Sequence, residues 1–151
     1  MIVAAVNDDL YRIMFLLHII TVVVAFAAMV VNPFLAARSK ADGEAALSRT
    51  AGYMAANGRQ IHLPALILVG LFGIGMIFSS DEAWGFDQAW VSLALLVWIA
   101  MCGLVSGMLI PAERKLAVGD LAQAKKVEMG GQIVTVLFLV MLYLMIWKPG
   151  L

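Results

Sequence analysis

Two histidines, one cysteine and ten methionines are the side chains of this 151-residue chain best able to bind a metal or move a proton. His18 sits within a long apolar stretch, and Met14 lies four residues before it, on the same face of a helix. A thioether beside an imidazole suits copper(I), and an imidazole alone can ligate haem iron. The plainer reading treats methionine as adaptable apolar filler and gives the buried imidazole a hydrogen-bonding partner. Tyr143 is the partner predicted from depth. His18 is five positions inside one end of its apolar stretch and Tyr143 is four positions inside the corresponding end of another, roughly 7–8 Å deep at 1.5 Å per residue. His62 opens a separate apolar stretch at the opposite end, so the two histidines are expected about 20 Å apart, too far to share one iron. Cys102 has no second cysteine to pair with and reads as packing. Zinc-type spacings, phosphate-cradling glycine loops and intramembrane carboxylate pairs are all missing from the sequence. The residues therefore predict no bound cofactor. Haem b or copper centred on His18 is the alternative.

The elements that position these residues follow from composition. Hydrophobic residues make up 64% of the chain and charged residues 13%, with a mean hydropathy of +0.98. A water-soluble domain of this size cannot hide so much apolar surface. The charges also cluster, leaving four stretches near the roughly 20 residues needed to cross the hydrocarbon core. An all-α, four-helix transmembrane bundle in a single domain is predicted, with spans at 13–31, 63–79, 89–110 and 129–147. Asn32-Pro33 is expected to end the first span, Pro64 to sit in the first turn of the second, and Pro111 to stop the third. Ala25-Phe26-Ala27 mimics a cleavage site but lies too deep in the apolar segment, so no cleavage is expected.

Four crossings put both termini on one side. That side carries only Arg12 and Lys148, while the other carries the remaining eight basic residues. The bias predicts basic loops in the cytoplasm, both termini outside and residence in the bacterial inner membrane. Tyr11, Trp84, Trp90 and Trp147 fall near the outer boundary, as an interfacial aromatic belt would. In the loop at 36–60, Leu47, Thr50, Ala51 and Met54 share one helical face, Ser39 and Asp42 have cap-like spacing, and Gly58 marks a stop. A short amphipathic cytoplasmic helix between the first two spans is expected there. A second helical stretch is expected at 111–128, broken at Gly119-Asp120, with its basic residues meeting anionic lipid heads. Zero net charge gives no reason to expect nucleic acid.

Within the first span His18, Thr21, Ala25, Ala28 and Asn32 recur at spacings of three and four, forming a narrow small-and-polar stripe. Gly103 and Gly107 have GxxxG spacing in the third span, with Ser106 beside them, and Gly70, Gly73 and Gly75 are similarly permissive in the second. Such faces let helices approach closely. With few reactive groups, they favour a non-enzymatic accessory subunit of a larger membrane complex, of which a respiratory assembly is one example.

Several short motifs carry a family resemblance over nearly the whole chain. These are Leu17-His18-Ile19-Ile20, Asn32-Pro33-Phe34-Leu35-Ala36-Ala37-Arg38, Ile61-His62-Leu63-Pro64-Ala65 and Trp147-Lys148-Pro149-Gly150. They resemble an uncharacterised family of small bacterial four-helix integral membrane proteins. More distantly, they resemble the membrane protoporphyrinogen oxidase and copper-resistance D-type families. In the oxidase family a first-helix histidine, matched by His18, is associated with haem and works with a third-helix lysine. The segment 89–110 contains no lysine. The resemblance therefore implies a haem-associated His18 without the oxidase's partner residue.

Overall fold

The computed structural model describes residues 8–150, which are helical apart from short connections. Helix α1 spans Asp9–Ala41, α2 Glu44–Asn57, α3 Leu63–Phe78, α4 Ala89–Leu104, α5 Ile110–Ala117 and α6 Ala124–Trp147. Two π-turns, Gly58–His62 and Val105–Leu109, join α2 to α3 and α4 to α5 without a break. Four continuous helical runs result: Asp9–Ala41, Glu44–Phe78, Ala89–Ala117 and Leu121–Trp147. Each is long and apolar enough to cross a membrane, making this a multi-pass membrane protein. Helix α1 packs mainly on α3, α4 on α6, and α2 on α5.

Pro64 lies in the first turn of α3 as expected, but Pro33 and Pro111, expected at helix ends, lie inside helical runs. Pro33 is interior to α1, which continues until Gly43 turns the chain with φ +104°, a conformation glycine adopts without the Cβ penalty. Pro64 and Pro111 each follow a π-turn at the same offset. Leu63 N–H bonds the Gly58 carbonyl, and Ile110 N–H bonds the Val105 carbonyl, both five residues back. Proline comes next and has no N–H to donate. Shifting the ladder there lets the helix resume past the missing donor. Gly58 likewise is not a stop. Its backbone is helical, and a Cβ there would lie 3.3 Å from Ile110 Cγ1, so its small size serves the approach of α5.

The amphipathic helix exists with the expected inward face, Ala51 and Met54 being buried, but it is continuous with α3. Ser39 donates to the Ala36 carbonyl at 3.1 Å within α1, so it does not cap α2. Gly119, at φ +94°, breaks the chain where expected, and α6 begins soon after at Ala124.

At the end bearing the termini, the tryptophans form an internal plug. Trp84 Nε1 donates to Tyr11 Oη at 3.1 Å, Trp90 meets Trp84 edge-on at 5.5 Å, and Lys148 Nζ lies 3.7 Å from the Trp84 ring centroid. Tyr11 and Trp90 are buried and only Trp147 is exposed, so the expected aromatic belt is largely turned inward. Burial against the indoles lowers the Lys148 pKa. Ser80, fully buried, holds the short loop by donating to the Ile77 carbonyl at 2.7 Å and accepting from Trp84 N–H at 3.0 Å.

Candidate functional site

His18 and His62 form a reciprocal pair of staples between antiparallel helices. His18 Nδ1 lies 2.9 Å from the Val69 carbonyl on α3, and His62 Nδ1 lies 2.8 Å from the Val24 carbonyl on α1. A carbonyl can only accept, so each Nδ1 carries a proton and donates it. A third bond of this kind runs from Trp98 Nε1 to the Leu66 carbonyl at 2.8 Å.

All three accepting carbonyls share a feature of sequence. Four residues after Leu66, Val69 and Val24 stand Gly70, Gly73 and Ala28. A helical Cβ leans toward the N-terminus, so the side chain at i+4 normally covers the carbonyl at i. A missing or minimal side chain uncovers that oxygen to a donor from the next helix. Space requires glycine at Gly70, while at Gly73 an added Cβ would come only to ordinary contact distance. A Cβ on Gly73 would touch the His18 ring at 3.4 Å, and a Cβ on Gly70 would collide with Trp98 Cε2 and Cζ2. Gly75 gives similar room to Met14, whose sulfur would lie 3.0 Å from an added Cβ.

The hydrogen bond expected between His18 and Tyr143 is not formed. Tyr143 is half-exposed and stacks on Trp147 with centroids 5.5 Å apart, while His18 has the Val69 carbonyl. Depth was matched, but helix rotation turns the phenol outward. The histidines are also closer than expected. His18 sits level with Val69 and His62 with Val24, six or seven residues along either helix, which is about 10 Å. No cluster of three histidine, cysteine or acidic side chains capable of holding a metal occurs among the described residues.

The rest of the stripe divides by depth. Thr21 Oγ1 lies 2.8 Å from the Leu17 carbonyl and 2.9 Å from that of His18, so its bonds stay within α1. Ala25, Ala28 and Asn32 face a cavity of about 470 Å³ at the basic-loop end. Its apolar part includes Phe26, Leu66, Val105 and Val134, and its polar lining includes His62, Glu113, Gln132 and Thr135. Glu113 is 4% exposed. Gly103 and Gly107 do not pack inside the bundle. Both are exposed, and a Cβ on either would meet nothing within 4 Å. The opposite face of this helical run, carrying Met101 and Val105, is buried instead.

Trp98 and Glu113 were not singled out from sequence. Glu113 was detectable in principle, since it lies three residues from both Ile110 and Leu116 and so shares their buried face. Trp98 had no comparable signal, and Gly70 was legible only as permissive, because nothing in sequence pairs an indole with a distant carbonyl. No protein-family model, curated protein or solved structure matches this chain.

Proposed function

We propose that this chain is a non-enzymatic accessory subunit of a larger bacterial membrane complex, with a respiratory assembly as one candidate. The observation that carries this reading is the outward face of the third helical run. Gly103, Ser106 and Gly107 lie together there, exposed, and among the described residues nothing lies within 4 Å of a Cβ added to either glycine. Ser106 Oγ bonds back to the Cys102 carbonyl at 2.6 Å, so its hydroxyl leaves the surface smooth. Glycine facing lipid gains no packing and weakens the helix, whereas the same face lets another transmembrane helix come close. The basic bias supports charged loops in the cytoplasm and residence in the inner membrane. Purification in mild detergent tests this: the chain should emerge with larger membrane proteins at a fixed ratio. A stable solitary monomer in native-like lipid would contradict it.

A second reading, a haem b- or copper-handling protein centred on His18, draws support from one contact. Imidazole ligands commonly donate their second ring N–H to a backbone carbonyl, as His18 Nδ1 does to Val69, leaving Nε2 available. An absorption spectrum and metal analysis of gently purified protein separate the two readings. A Soret band or stoichiometric copper lost in His18→Leu would favour the second.

A further inference from the structure

We propose that the cavity at the basic-loop end binds a lipophilic cation, its apolar body lying against Phe26, Leu66, Val105 and Val134 and its positive head on Glu113. Glu113 is buried to 4% exposure on the cavity wall, and among the described residues no hydrogen bond or ion pair from the protein reaches it. Two other groups that could carry positive charge line the same cavity, Lys40 and His62. Lys40 is exposed and makes no ion pair, and His62 is held to the Val24 carbonyl. Glu128, also on the lining, adds a second carboxylate. An ionised carboxylate set in a largely apolar wall is costly unless a counter-charge accompanies it. Among the described residues no cationic side chain pairs with Glu113, so the cavity is complementary to a cation from outside.

The apolar lining selects for a hydrophobic body, because burying apolar surface contributes about 25 cal/mol per Å². The volume of about 470 Å³ lies within the usual range for small-molecule sites. The site is separate from the proposed docking face, since Gly103 and Gly107 do not line it. Failure of one proposal therefore leaves the other standing.

Equilibrium binding of tetraphenylphosphonium to the full chain in phosphatidylglycerol nanodiscs tests the inference, with tetraphenylborate as the control of matched shape and opposite charge. Saturable, one-to-one binding of the cation is expected, weakened at least tenfold by Glu113→Gln, with no corresponding site for the anion. Gly131→Leu is the second variant: Gly131 lines the cavity and has nothing within 4 Å of an added Cβ, so the new side chain should fill the space without a clash. It should abolish binding while Glu113 remains and helical content is unchanged. Replacing half the lipid with phosphatidylethanolamine identifies the natural source. Competition would assign the head to a lipid ammonium, and no competition to a free amphiphile. Equal binding in wild type and Glu113→Gln, or equal uptake of the anion, would overturn the proposal.

Discussion

Gly70→Ala is the sharpest perturbation of the packing described here. The added methyl would fall on Trp98 Cε2 and Cζ2, which belong to a rigid bicyclic ring and cannot give way as a flexible chain end could. The indole must therefore swing away from α3, breaking its 2.8 Å bond to the Leu66 carbonyl. Overpacking of this kind costs about 1–3 kcal/mol, and the lost bond about 0.5–1.5 kcal/mol. Replacing glycine by alanine within a helix returns about 1 kcal/mol. A net destabilisation of roughly 0.5–3.5 kcal/mol is expected by combining these terms. Reversible unfolding in mixed micelles, followed by helical circular dichroism, gives the measurement. The decisive comparison repeats the substitution in a Trp98→Leu background, where the methyl has room and Gly70→Ala should become neutral or stabilising. An equal cost in both backgrounds would show that Gly70 is not there to admit Trp98.

Other outcomes follow from the same geometry. His18→Leu should cost about 0.5–1.5 kcal/mol through loss of the bond to Val69, whereas Tyr143→Phe should leave stability unchanged in the same unfolding assay. Equal effects of the two variants would restore the His18–Tyr143 pairing. In a Cys102→Ala background, membrane-impermeant thiol reagents should label Asp87→Cys from outside but not Ser48→Cys. The opposite pattern would reverse the orientation.

Helix number and approximate span positions were legible because hydrocarbon thickness imposes a minimum apolar length that charge clustering makes visible. Helix continuity was less legible. Proline reads locally as a breaker, but the π-turns before Pro64 and Pro111 depend on i→i+5 bonds that have no compositional signature. Rotation was the least accessible feature. In a soluble helix polar residues mark the outer face, but in a membrane helix lipid and core are both apolar. Depth therefore paired His18 with Tyr143, while rotation paired it with Val69 and turned Tyr143 toward Trp147. The same ambiguity left open whether Gly103 and Gly107 face the bundle or the outside; they face outward. Ala28 was legible as small, but its relation to the Val24–His62 bond emerged only with the partner helix in place.

The most direct test of the accessory-subunit account compares wild type with Gly103→Leu, extracted from native membranes in polymer-bounded lipid discs. Among the described residues nothing lies within 4 Å of a Cβ added there, so the variant should remain folded and as stable as wild type. The account predicts that wild type is recovered with partner chains at a fixed ratio and that Gly103→Leu is recovered without them. Recovery of both proteins alone, or of both with the same partners at the same ratio, would contradict it.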